Sequence, residues 1–328
     1  MGRAGVPGFV RIRRCLDMNW KRSLDMSTAM GFSGRMNRRG MLRSAAGAGL
    51  GVMALGIAGC EEAQKVGGGA ALKGHINHSM VWWCFEKHWT TEQMCEVAKR
   101  LGLKSVELID PEHWPTLKKH GLVCAIHGSH GFVQGMNNPA YHDMCIAKIK
   151  ESVDVCAEYG FPNVITFTGM SEDIPADAGQ KNCIEGLKKV VGYAEQKKVN
   201  LCLEMLNSRD AVEMKGHPGY QGDHMDYCIE IVKAVGSPRM KVLFDIYHVQ
   251  IMDGDIIRRI GQYAEYIGHV HTAGCPGRNE LDDTQEINYP PIMRALVKAG
   301  YTGYTGHEFI PTRDPLKGLA EAVALCDV

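Results

Sequence analysis

The 328-residue sequence has no excess of either charge, with 37 Lys+Arg against 37 Asp+Glu. No uninterrupted apolar run clearly reaches the ~20 residues of a membrane-spanning helix, and only one N-terminal stretch is ambiguous. None of the 12 cysteines stands in a Cys-x-x-Cys pair, which argues against a zinc ribbon and for buried free thiols rather than a disulfide framework. Residues 78–90, HSMVWWCFEKHWT, hold no phosphate-binding glycine loop where a doubly wound dinucleotide fold would place one. Apolar residues make up 45% of the chain, enough for a full core, and this excludes a disordered or collagen-like polypeptide.

The overall neutrality conceals a division. Residues 1–60 carry ten basic and two acidic side chains, leaving 27 basic and 35 acidic groups in the remaining 268 residues. A body with a net charge of −8 repels polyanions and is a poor candidate for binding nucleic acid through its phosphates, so no nucleic-acid partner is expected.

The basic segment reads as an export signal. Arg38-Arg39 precede an uncharged, Gly/Ala-rich stretch at 44–59 that ends Ile57-Ala58-Gly59-Cys60. This pattern predicts a cleavable signal of the twin-arginine, lipoprotein type over 1–60, with Cys60 as the lipidated residue. The expected location is periplasmic or membrane-anchored in a bacterium, with membrane contact only through that lipid. Residues 1–35 fit no element, so Met30 or Met36 is the expected start. Residues 61–72, with Gly67-Gly68-Gly69, read as a flexible tether.

From residue 73 to 328, short apolar β-branched runs alternate with helical-period segments. Strands are predicted at 74–78, 104–109, 122–127, 163–168, 199–205, 241–246, 266–272 and 303–309. Helices are predicted at 91–101, 112–119, 141–159, 181–197, 223–235, 254–264, 288–299 and 316–326. Thr90 and Gln93 offer a capping box, and Gly102, Gly160, Gly236 and Gly300 fall where left-handed C-caps need glycine. Eight strand–helix alternations in one domain predict an α/β fold of the (β/α)8, or TIM, barrel type.

Catalytic groups in such a barrel sit where strands end. Glu204, Asp245, His271 and Glu308 each close one of four consecutive predicted strands, and period-2 alternation lets each face the barrel mouth. Three carboxylates and an imidazole converging there need a cation. Mostly oxygen ligation favours Mn²⁺ or Mg²⁺, and the histidine admits Co²⁺ or Zn²⁺. Around the same rim, His248 and Arg278 are expected to contact a small-molecule substrate. His127 and His78, at the predicted ends of strands three and one, are pocket-lining candidates, and Trp82-Trp83 form a wall or simple packing.

These residues resemble the xylose isomerase-like TIM barrels, most closely the hydroxypyruvate isomerase family, related to keto-sugar 3-epimerases. The resemblance covers most of 73–315 and rests on LCLEML at 201–206, FDIYHVQ at 244–250, HVHTAG at 269–274, DDTQEINYP at 282–290 and GHEF at 306–309. It implies that Glu204 and Glu308 are paired acid/base residues as well as metal ligands, with Asp245 and His271 completing the site. His271 stands where many hydroxypyruvate isomerases carry glutamine, as the epimerases' histidine does. The implied activity is metal-dependent isomerisation of a small α-hydroxy-carbonyl compound by enediolate proton transfer. Alternatives on the same site are a keto-sugar epimerase or a keto-sugar or cyclitol dehydratase; a non-catalytic sugar-binding lipoprotein is the weaker reading.

Overall fold

A computed structural model describes residues 71–328. The twin-arginine segment, Cys60 and residues 61–70 of the expected tether lie outside the described residues. Leu72 packs against Gly102, the backbone N–H of Lys73 donates to Asp327 (2.9 Å), and His75 Nδ1 meets the Val328 carbonyl at 2.8 Å. The folded body therefore already includes Leu72.

Seven strands form one parallel sheet: β1 (Asn77–Val81), β2 (Ser105–Glu107), β3 (Asn163–Phe167), β4 (Asn200–Glu204), β5 (Met240–Asp245), β6 (Ile267–Thr272) and β7 (Tyr304–His307). Their order is β2-β1-β7-β6-β5-β4-β3. The predicted eighth member, residues 122–127, is not a regular strand. It bridges the two edges instead, pairing Val123 with Ser105 on one side and His127 with Val164 on the other, both parallel. Side chains explain the interruption. Ser105 Oγ accepts the Ala125 N–H (2.9 Å) and Asn163 Nδ2 donates to the Ala125 carbonyl (2.8 Å), so side chains satisfy backbone groups that a ladder would otherwise pair. With this segment in place the sheet closes into the expected barrel.

The helices are α1 (Trp82–Phe85), α2 (Thr91–Leu101), α3 (Trp114–Lys119), α4 (His142–Tyr159), α5 (Ala176–Lys197), α6 (Met225–Val235), α7 (Ile246–Met252), α8 (Ile256–Tyr263), α9 (Tyr289–Lys298) and α10 (Pro315–Cys326). The Thr90–Gln93 capping box is formed, and Gly102, Gly160 and Gly236 hold left-handed C-caps at φ 78°, 74° and 75°. Two short helices, α1 and α7, follow strands directly and were not predicted. The second exists because the Asp245 carboxylate accepts the N–H groups of Tyr247 and His248, starting a helix at the strand's last residue.

Two apolar clusters hold the fold together. The larger lies between strands and helices and includes Trp114, Tyr247, Tyr289, Phe85 and Phe244. Full burial of such side chains contributes about 1.5–3 kcal/mol each. The smaller fills the barrel's interior with Ile126, Ile165, Phe167, Cys202, Leu206, Tyr220 and Leu243. All ten cysteines of the described residues are buried and free, and burial pushes the Cys95 thiol up to about 11 and Cys145 to about 12.

Candidate metal centre and active site

Glu204 is the last residue of β4, Asp245 the last of β5, His271 lies one residue from the end of β6, and Glu308 follows β7 directly. Parallel register places these ends side by side, pairing Asp245 with His271 and His271 with Gly306. The Glu308 N–H donates to the Thr272 carbonyl at 2.9 Å, which extends the β7–β6 pairing by one residue and fixes the glutamate's backbone. One ligand-type atom from each of Glu204, Asp245, His271 and Glu308 lies within 4.8 Å of the others, and all four residues are buried. The four groups anticipated from the strand ends therefore share one centre.

Arg278 joins them from the loop after β6, at a left-handed φ of 55°. Its Nη2 hydrogen-bonds to Glu308 and reaches Asp245 at 3.4 Å, while Nη1 donates to the Met214 carbonyl at 2.6 Å. The guanidinium lies over the rings of Trp83 (5.4 Å) and Tyr247 (5.7 Å). The Trp83 indole donates to Glu308 Oε1 at 3.1 Å, so this tryptophan belongs to the polar site and not to a simple apolar wall.

His248 stands in the first turn of α7, fully buried. Its Nδ1 receives the Asn207 backbone N–H (3.1 Å) and the Asn207 side-chain amide (2.7 Å). A nitrogen that accepts a backbone N–H carries no proton, so the proton sits on Nε2, which faces Asp245 at 3.6 Å. His217 approaches from the loop after β4, its ring 6.4 Å from His248 and 4.2 Å from Phe132.

The electrostatics are uneven. Burial, reinforced by Glu308, pushes Glu204 well above the carboxylate range. Burial likewise lifts Asp245 to about 6 against the pull of Arg278. At Glu308 burial is outweighed by Arg278 and His271, which hold it far below its ordinary value. His271 is pushed well up by Glu308 and Glu107 despite burial, and burial drives His248 well down, so it is neutral. Repulsion of this kind is what a divalent cation relieves.

The residues present fit such a cation. The donors are three hard carboxylate groups and one imidazole, a set suited to Mn²⁺ or Mg²⁺. His271 Nδ1 is buried and 2.9 Å from Glu308 Oε2, yet makes no aligned hydrogen bond. It points at the space between the carboxylates.

Two anticipated residues lie elsewhere. His78 was expected at the mouth because β1 was placed at 74–78, but the strand runs three residues later, so His78 is its second residue. It pairs opposite Thr305, and its Nδ1 meets Nε2 of His307 at 3.2 Å with the rings stacked. Since Glu308 faces the mouth, its neighbour His307 and therefore His78 face the helix layer. His127 also faces outward: it is in register with Val164 and packs edge-on against Trp114 of α3 at 5.0 Å. Neither histidine reaches the metal centre.

Glu107 and Asn207 escaped the sequence reading. Glu107 is a lone carboxylate inside the apolar run at 104–109, the same signal that marked Glu204. Its Oε1 accepts from Nε2 of both His269 and His271, at 2.8 Å each. No signal in the sequence pairs Asn207 with His248.

A family model described as "Xylose isomerase-like TIM barrel" matches residues 95–327. A 2-oxo-tetronate isomerase of Cupriavidus necator is 35% identical over 150 residues, which is 44% of this chain and 55% of that protein. A human protein named putative hydroxypyruvate isomerase is 33% identical over 137 residues, 42% of this chain and 48% of the human one. The chain thus matches about half the length of these relatives. The crystal structure of an AP endonuclease, family 2, from Brucella melitensis superposes with a TM-score of 0.68 at 23% identity, covering 76% of this chain and 99% of the other. At that identity the likeness concerns the fold alone.

Proposed function

Because the chain belongs to the xylose isomerase-like TIM-barrel family and gathers a four-residue ligand set at the ends of β4–β7, we propose that it is a divalent-metal-dependent isomerase of a small α-hydroxy-carbonyl compound, of the hydroxypyruvate or 2-oxo-tetronate kind. The convergence of Glu204, Asp245, His271 and Glu308 within 4.8 Å carries the reading.

These four residues would hold Mn²⁺ or Mg²⁺, which supplies Lewis-acid polarisation of the substrate carbonyl. The protein's own groups move the proton. One of Glu204 and Glu308 removes the C–H proton beside the carbonyl, and the other returns a proton to the former carbonyl carbon. The hydroxyl proton passes to the former carbonyl oxygen, so that carbonyl and hydroxyl exchange places. The two carboxyl groups sit in unequal surroundings: burial pushes Glu204 up, whereas Arg278 and His271 outweigh burial at Glu308 and hold it down. His248 offers its Nε2–H to a substrate oxygen. Arg278 supplies a fixed positive charge where negative charge develops on the substrate oxygens. Trp83 keeps the Glu308 carboxylate in place through its indole N–H.

Return of the proton to the opposite face of the same carbon would be epimerisation, for which the same two carboxylates suffice. The relatives' names favour isomerisation. Export by the Arg38-Arg39 segment and lipid attachment at Cys60 complete the reading; labelled fatty acid retained by the wild type and lost in Cys60→Ala tests the anchor.

The direct test follows hydroxypyruvate and related keto acids and ketoses by NMR, with Mn²⁺ and with chelator. Turnover should require the cation, and Glu204→Gln and Glu308→Gln should each lose at least about a hundredfold in rate. Near-full rate in either variant with metal bound refutes the assignment.

A further inference from the structure

We propose that Glu107, on the barrel's inner wall, is a positioning residue that makes His271 a metal ligand. By accepting from Nε2 it holds that proton on the far side of the ring and leaves the Nδ1 lone pair to the carboxylate cluster. The inference rests on the metal-dependent reading above and concerns a residue that touches neither substrate nor cation.

Three observations carry it. The first is reach. Glu107 belongs to β2 and His271 to β6, and β1 and β7 stand between them in the sheet. The carboxylate crosses the barrel interior and meets Nε2 of His271 at 2.8 Å. Second, the crossing has been left open. A Cβ at Gly306 of β7 would fall 2.1 Å from Glu107 Oε1 and 2.9 Å from His271 Cδ2, so only glycine admits both side chains there. Third, the arrangement is a poor way to stabilise a barrel. Glu107, His269 and His271 are each fully buried, and Glu107 Oε2 and His269 Nδ1 have no partner among the described residues. Apolar side chains filling this space would serve stability as well or better. A carboxylate behind a ligating histidine orients the ring and fixes its tautomer.

His269 has its own place in this arrangement. It occupies the inward position two residues before His271 and donates Nε2 to the same Oε1 at 2.8 Å. This second donor holds the carboxylate in line with His271 and restricts its rotation.

The test combines metal binding with a measurement that needs no variant. Free Mn²⁺ is followed by its paramagnetic resonance signal during titration of wild type and Glu107→Gln. Wild type should bind one ion per chain, and Glu107→Gln should bind it 10–100-fold more weakly. In parallel, ¹⁵N NMR of the Mg²⁺- or Zn²⁺-loaded wild type should show His271 protonated at Nε2 and metal-coordinated through Nδ1. Mn²⁺ affinity in Glu107→Gln within threefold of wild type, or coordination through Nε2, overturns the role of Glu107 while leaving the metal site intact. Two ions per chain would overturn it differently, by making Glu107 and His269 ligands themselves. A wild type that binds no divalent ion refutes the metal reading and this inference with it.

Discussion

Asn207 donates twice to Nδ1 of His248, through its backbone N–H at 3.1 Å and its side-chain amide at 2.7 Å. The second amide hydrogen goes to the Lys215 carbonyl at 2.7 Å, so the asparagine cannot turn away. These two contacts keep the His248 proton on Nε2, which makes the imidazole a donor toward the site rather than a ligand through that nitrogen. Replacing Asn207 by alanine leaves the backbone contact and removes the side-chain one. A lost hydrogen bond to a functional imidazole is worth about 1 kcal/mol, so kcat/KM should fall roughly five- to tenfold. Mn²⁺ affinity should be unchanged in the same titration; a parallel loss of affinity would instead make His248 a ligand.

Cation binding should be visible in thermal stability. The three buried carboxylates, Glu204, Asp245 and Glu308, repel one another in the absence of an ion, and a ligand that binds only the folded state stabilises it by about 4 kcal/mol at a thousandfold excess over Kd. Melting temperature should rise with Mn²⁺ concentration and return on addition of chelator. Asp245→Asn, which removes a ligand charge and keeps its shape, should shrink that rise. A melting temperature indifferent to Mn²⁺ and chelator would count against the centre.

Gly306→Ala tests how closely the inner wall is fitted. The new methyl would meet the Glu107 carboxylate at 2.1 Å, so either the glutamate or β7 must shift. Overpacking at such positions costs about 1–3 kcal/mol, measurable as a lower urea midpoint. Because the displaced group is the one behind His271, metal affinity should fall as well. Gly192→Ala, where nothing lies within 4 Å of the added carbon, should be stable and fully active.

Acid should destabilise the protein through its buried neutral histidines. Burial lowers His130 from 6.5 to about 4, and His78 and His127 shift to the same value for the same reason. Between these pH values the unfolded chain binds the proton and the folded one does not. The stabilising contribution is complete above pH 6.5 and is lost as pH falls toward 4. For His130 alone the loss is about 3 kcal/mol. Its Nδ1 lies 3.1 Å from the Gly131 carbonyl and 3.2 Å from that of Gln134, so asparagine can replace that donor without titrating. Urea midpoints of His130→Asn between pH 7 and 4 should decline less steeply than those of wild type; identical slopes would remove His130 from the acid response.

Trp83→Phe keeps the ring under Arg278 and deletes the N–H that holds Glu308 at 3.1 Å. The expected result is a lower kcat, by about tenfold, with KM little changed, since the loss falls on the proton-transferring group. An equal loss in Trp83→Ala and Trp83→Phe would confirm that the N–H matters more than the ring.

The alternation of apolar runs with amphipathic segments is a local property, set by side-chain period and by caps such as Thr90–Gln93 and Gly102. It determined the barrel class, most helix limits and the four strand-end candidates, because each of those residues is a polar group closing its own apolar run. Tertiary structure decided what depends on partners distant in the chain. Whether 122–127 becomes a strand turned on Ser105 and Asn163, which take the Ala125 backbone groups. Where β1 begins was set against the C-terminus, through Lys73 with Asp327 and His75 with Val328, and this moved His78 from the mouth to the outer face. The tautomer of His248 and the orientation of His271 come from Asn207 and Glu107, contacts spanning 41 and 164 positions. A side chain's face is written in its neighbours along the strand, but the proton on an imidazole is set by whatever the closed barrel brings against its other nitrogen.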